Sequence, residues 1–106
     1  MLIVTGTFEV APEDREAFLR SREDAMRTSR AEAGCLDYVF AADPLEPGRV
    51  VLVEQWESEE ALADHIAAMR AARAAAPAPA ADAPPRGAVR ASSITKHVVA
   101  SSGPLG

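Results

Sequence analysis

The first ten residues, MLIVTGTFEV, put Leu2, Val4, Phe8 and Val10 on one side and Ile3, Thr5, Thr7 and Glu9 on the other. That period of two predicts a strand with one buried face. Pro12 then suits the first turn of a helix, where its missing N–H costs nothing, and Glu13 and Asp14 complement the positive end of the helix dipole. From there Phe18, Arg22, Ala25, Met26 and Ser29 share a face, which predicts one long helix to about Ala33, with Gly34 as its left-handed stop. CLDYVFAAD and GRVVLVEQW are rich in β-branched and aromatic residues, and the turn formers DPLEPG between them predict an antiparallel hairpin. Ser58 is a good N-cap, Glu59 and Glu60 suit a first turn, and Leu62, His65, Ile66 and Met69 fall on one face of a second helix that ends before Pro77.

Residues 71–91 are alanine- and proline-rich; Pro77, Pro79, Pro84 and Pro85 forbid a continuing helix, so this stretch reads as a long surface connection. SSITKHVVA is a last strand, with Ile94 and Val98 flanking Lys96 on one side and His97 and Val99 on the other. Residues 101–106 are a polar tail, expected to fray. The order is βαββαβ, the split βαβ arrangement of a ferredoxin-like α+β fold: a four-stranded antiparallel sheet with both helices on one face, in a single domain over residues 1–100.

The second sheet face then needs a cover. In the hairpin, Leu36, Tyr38 and Phe40 oppose Cys35, Val39 and Ala41, and Leu52 and Trp56 oppose Val51 and Val53, so both faces carry apolar groups. A sheet washed by water on one side alternates more cleanly. Pairing of that face with the same face of a second copy is the simplest cover, since apolar burial contributes roughly 25 cal/mol per Å² and a chain this short is otherwise marginal. A homodimer through the sheet face is expected.

Composition narrows the partners. The 106 residues carry 11 Lys+Arg against 16 Asp+Glu, a net charge of −5, without a basic block, and only one Trp, one Tyr and three Phe are available to stack on bases. Nucleic acid and anionic membrane are poor partners for such a surface. Cys35 is the only cysteine, so no intrachain disulfide forms and no Cys/His cluster of zinc spacing exists. The N-terminus has no basic n-region and no run reaches about 18 apolar residues, so the expectation is a cytoplasmic protein without signal peptide or membrane span. Neither a dinucleotide fingerprint, a metal-ligand cluster nor a haem-attachment motif occurs, and no cofactor is expected.

His65 and Trp56 are the residues most suited to chemistry. His65 sits on the inward face of its helix, and imidazole alone among side chains titrates near neutral pH without help. Read structurally, it is a buried side chain bonded to backbone or to a carboxylate such as Glu54. Trp56 ends the third strand, where its indole N–H can meet a bound carbonyl and its ring can wall a flat substrate, or simply fill the core. Tyr38 offers a phenolic donor. Arg22 interrupts an apolar face, either to anchor an anionic substrate or to snorkel to solvent. Phe18 and Met69 are apolar residues of the kind that fill cores. Cys35 reads as a small buried hydrophobe.

The segment AGCLDYVFAADPLEPGRVVLVEQWESEEALADHIAA resembles the central part of the antibiotic biosynthesis monooxygenase family. The matching positions are Gly34, Cys35, Leu36 and Tyr38, then Glu54 and Trp56, then Ser58, Glu60, Ala61, Leu62 and the helix residue His65. The resemblance implies a dimeric α/β barrel with a pocket in each subunit between sheet and helices. There His65 and Trp56 are the catalytic candidates, and Tyr38, Arg22, Phe18, Leu52 and Met69 the candidates to contact substrate. It also implies insertion of oxygen from O2 into a small electron-rich aromatic, such as a quinol, an anthrone or a polyketide intermediate, without metal or flavin. The chain contains no asparagine. Anthrone-oxidising relatives can use one at the position that Leu52 occupies. Two further activities fit the same fold: binding of a small molecule without turnover, and isomerisation or cyclisation of a polyketide by the same histidine base.

Overall fold

A computed structural model of the chain describes residues 1–76 and 89–106. Strands β1 (Leu2–Val10), β2 (Cys35–Ala42), β3 (Arg49–Trp56) and β4 (Val89–Val98) form one antiparallel sheet in the order β2-β3-β1-β4. Helices α1 (Arg15–Ser21), α2 (Glu23–Arg30) and α3 (Glu59–Ala75) connect them on one side of the sheet. This is the expected ferredoxin-like α+β architecture.

The register builds the core. Leu2 pairs with Trp56, Val4 with Glu54 and Phe8 with Val50, so alternate residues of β1 and β3 form one surface under the helices. Leu2, Val4, Tyr38, Leu52, Trp56 and Leu62 pack there as one buried cluster, and Val10, Phe18 and Val50 as a second. Phe8 and Phe40 touch both. On the opposite face Ile3, Val39, Val51 and Val53 are half-buried.

Four details depart from the sequence pattern. The expected single first helix opens with a 3₁₀ turn at Pro12–Asp14 and breaks at Arg22, whose ψ of −6° separates α1 from α2. Phe18 before the break and Ser29 after it both stay buried, so the apolar spacing runs through the break without revealing it. In β2, Cys35 pairs with Trp56 and Asp37 with Gln55, which leaves Leu36 as the extra residue of a bulge. Strict alternation grouped Leu36 with Tyr38 and Phe40; the bulge instead leaves Leu36 50% exposed and places Cys35 against the buried cluster. On α3, Leu62 and His65 are buried, but Ile66 and Met69 are 40% and 41% exposed, because only the first half of the helix lies against the sheet. Finally, residues 71–75 continue α3 and 89–91 already belong to β4, so the expected connection is shorter at both ends. Its prolines lie outside the described residues. Residues 101–106 are exposed and have no regular secondary structure.

One corner holds the site together. Gly34 has φ +82°, the left-handed turn that stops the helical segment, and its carbonyl accepts a 2.8 Å hydrogen bond from the Glu57 amide. Ser58 caps α3, its hydroxyl accepting from the Ala61 amide at 3.1 Å. The turn before β2 is thereby fixed against the start of α3, which brings Glu32 to His65.

Candidate functional site

His65 projects from the second turn of α3 onto the sheet and is 2% exposed. Its ring lies 4.6 Å from the Trp56 ring, centroid to centroid, and 5.3 Å from that of Tyr38. Nδ1 is 2.9 Å from Glu32 Oε2, and Nε2 is 3.8 Å from Glu54 Oε1. Trp56 Nε1 donates to the same Glu54 oxygen at 3.0 Å. Four side chains from three parts of the chain thus form one run: Glu32, His65, Glu54, Trp56. An ionised carboxylate only accepts, so Glu32 selects the imidazole tautomer with hydrogen on Nδ1 and leaves the Nε2 lone pair towards Glu54. A proton arriving at the imidazole is balanced by carboxylates at both nitrogens.

The surroundings tune these groups. Burial pushes the Glu54 carboxyl above its ordinary range, against the lowering effects of the Trp56 hydrogen bond and of His65. Burial, reinforced by the charge of Glu54, pushes the Tyr38 phenol up to about 12. It therefore stays neutral, the opposing effect of its hydrogen bond with Ser29 being outweighed. Burial and then the Glu32 and Glu54 charges raise the Cys35 thiol, which works against a nucleophilic thiolate.

The structure brings His65, Trp56, Tyr38 and Leu52 into one cluster. Phe18 lies in the neighbouring cluster with Val10 and Val50, joined to the first through Phe40, and the Arg22 guanidinium covers the Phe18 ring at 4.9 Å. Met69 stands apart on α3, where it lines an open groove between α2 and α3 with a volume of about 310 Å³. His97 is on the other sheet face, 3.0 Å from the Thr5 hydroxyl. The residue that sequence reasoning missed is Glu32. It follows α2, on no periodic face, and the only available signal was an acidic residue two places before the glycine stop. The expected partner of His65 was Glu54; Glu32 makes the shorter contact, and Glu54 is held by Trp56.

Among the described residues no group of three or more His, Cys, Asp or Glu is placed to hold a metal ion, and no helix is long and apolar enough to cross a membrane.

The sequence pattern of the antibiotic biosynthesis monooxygenase family matches residues 1–76, most of the chain. The chain belongs to this family. Two curated proteins are similar to part of the chain. The Synechocystis protein sll1783, uncharacterised, is 31% identical over 65 residues, 61% of this chain and 44% of its own length. Bacillus subtilis YcnE, named only provisionally as a monooxygenase, is 32% identical over 65 residues, 61% of this chain and 68% of its own. The chain therefore spans under half of the first relative and about two thirds of the second. A solved structure from Deinococcus radiodurans that carries the family's name superposes with a TM-score of 0.69 over 100% of this chain and 99% of that one, at 22% identity, a likeness of fold. The family supports a monooxygenase-type or small-molecule-binding role, and the positions that resembled it, from Gly34 to His65, gather at the corner that holds the His65 cluster.

Proposed function

We propose that the protein is a cofactor-independent monooxygenase acting on a small electron-rich aromatic, a quinol, an anthrone or a related polyketide intermediate. The observation that carries this reading is the buried His65 flanked by two carboxylates and packed at a tilt against Trp56, a proton-accepting assembly shielded from water. The protein binds the substrate, removes one proton and excludes solvent. The resulting carbanion passes one electron to O2, and the radical pair joins as a peroxide. For an anthrone, loss of water from that peroxide leaves a carbonyl, so the CH2 between the rings and O2 become C=O and H2O; for a quinol, the same loss leaves a hydroxyquinone and H2O. Both electrons needed by the second oxygen atom come from the substrate, so the balance requires no external reductant. Trp56 and Tyr38 form the aromatic wall against His65, Leu52 packs behind them, and Phe18 with its covering Arg22 supports that wall from the next cluster. Met69 faces the incoming substrate.

The same reading includes a homodimer that covers Ile3, Val39, Val51 and Val53 with the equivalent face of a second copy. Sedimentation of wild type and Val53→Lys tests it; a wild-type monomer at micromolar concentration contradicts it.

Oxygen uptake with anthrone and hydroquinone substrates, for wild type and His65→Ala, tests the activity. The expected result is uptake that falls roughly 10²- to 10⁴-fold in the variant, the range for disrupting a positioned proton-transfer assembly. Absence of uptake across the panel contradicts it. A second reading, binding without turnover, is favoured by the near-complete burial of both His65 and Trp56, 2% and 0% exposed. Tight binding of an anthrone recovered unchanged under air identifies it, whereas a product of unchanged mass identifies an isomerase or cyclase.

A further inference from the structure

His65 has no surface of its own from which to reach a substrate, yet its partner does. The Glu32 side chain is 23% exposed, and Glu32 lines the groove between α2 and α3. At about 310 Å³ the groove stands at the lower end of the range for ligand pockets, roughly 300–1,000 Å³, which suits a flat molecule of two or three fused rings. Ala25, Ala68 and Ala72 keep its walls narrow and apolar, and Met69 supplies an adaptable contact. Among the described residues lining it, the titratable ones are Asp24 and Glu32. Asp24 is engaged by Arg27 at 3.0 Å, while Glu32 contacts His65 at 2.9 Å through Oε2 and also lines the groove.

This arrangement excludes anions and selects an uncharged aromatic that has a hydrogen to give. We propose that substrate binds in the α2–α3 groove and that Glu32 is the catalytic residue that takes its hydroxyl proton, with His65 as the positioning residue behind it. The inference rests on the oxygenase reading for the reaction but not for the site of binding. In the step, the O–H bond of a quinol or of the enol form of an anthrone breaks, its electron pair stays on the oxygen and delocalises onto the ring carbon that meets O2, which is the carbanion form of the same anion, and the proton bonds to Glu32. The Nδ1–H bond from His65 holds the carboxylate in line before transfer. The groups that face Glu32 are His65 on α3, Glu54 on β3, Cys35 and Tyr38 on β2, and Asp24 on α2.

The test uses the whole protein with two probes: 1,8-dihydroxyanthrone for turnover, and 1,8-dihydroxyanthraquinone, which has no CH2 to oxidise, for binding. Ala72→Trp fills the groove without touching His65 and is expected to weaken anthraquinone binding at least ~10-fold, with Trp56-region chemical shifts unchanged. Glu32→Gln is expected to retain binding within ~3-fold and lose ~10²- to 10⁴-fold in kcat. His65→Gln, which still donates to Glu32, is expected to move the acid limb of the pH–rate profile while KM holds, a change that a merely structural residue does not produce. Anthraquinone binding unaffected by Ala72→Trp, or absent in wild type, overturns the groove as the site. Unchanged kcat in Glu32→Gln overturns its role as base. Binding in the groove with no oxygen uptake by wild type overturns the oxygenase reading and the base role together, and leaves the groove as the binding site.

Discussion

Replacing Gly34 by alanine tests whether one backbone position sets the geometry of the site. Gly34 has φ +82°, and a Cβ placed there lies 2.5 Å from the Ala61 Cβ on α3. Two costs follow. Holding an L-residue in the left-handed region costs about 1–2 kcal/mol. Separating β2's entry from α3 to relieve the clash costs about 1–3 kcal/mol, as overpacking does elsewhere. Together they amount to about 2–5 kcal/mol, a large share of the 5–15 kcal/mol typical of a small domain. Urea denaturation followed through the single tryptophan, Trp56, which is fully buried, measures the loss directly. The companion variant Ala61→Gly separates the terms: combined with Gly34→Ala it is expected to restore about 1–3 kcal/mol, the steric share. Because the Gly34 carbonyl also anchors the Glu57 amide at 2.8 Å, any shift there lengthens the Glu32–His65 contact. Activity is therefore expected to fall more than stability requires. A loss under ~0.5 kcal/mol, the range of ordinary surface changes, refutes the reasoning.

Two pH dependences follow from buried groups. Burial raises the folded-state pKa of Glu54, so the folded protein holds a proton that the unfolded chain has released. The associated stability is full below the ordinary carboxylate range and is lost as pH rises through the raised value, and urea midpoints from acid to neutral pH are expected to lose this fall in Glu54→Gln. Tyr38 moves in the same sense, from 10 to about 12. Its contribution is intact below pH 10 and lost as pH climbs towards 12, a change of about 3 kcal/mol at roughly 1.4 kcal/mol per unit, and Tyr38→Phe is expected to remove that alkaline slope.

The sequence revealed the elements whose residues alternate or recur for one reason only, burial. Leu2, Val4 and Val10 on β1 are examples; the Ser58 cap of α3 was legible for a different reason, the hydrogen bond its hydroxyl accepts from the Ala61 amide, and together these elements place Trp56 and His65 on the same side of the sheet. What escaped is what periodicity cannot carry. The break at Arg22 leaves the apolar spacing intact, and the bulge at Leu36 adds one residue without altering composition. Glu32 lies beyond the last helical turn, and its contact with His65 spans 33 positions fixed only by the Gly34 corner. In a chain without asparagine, the structure sets two glutamates against the histidine, Glu32 at 2.9 Å and Glu54 at 3.8 Å, and Glu32 lines the groove.

The central claim is that this His65-centred assembly oxidises an aromatic substrate with O2 and no added cofactor. Oxygen-electrode measurement on the purified protein, stripped of metal by chelator and supplied only with 1,8-dihydroxyanthrone, addresses it most directly. The account predicts one O2 consumed per anthraquinone formed, at a rate well above the protein-free reaction and lost in His65→Ala. A rate equal to the protein-free reaction, or one that His65→Ala leaves unchanged, contradicts it.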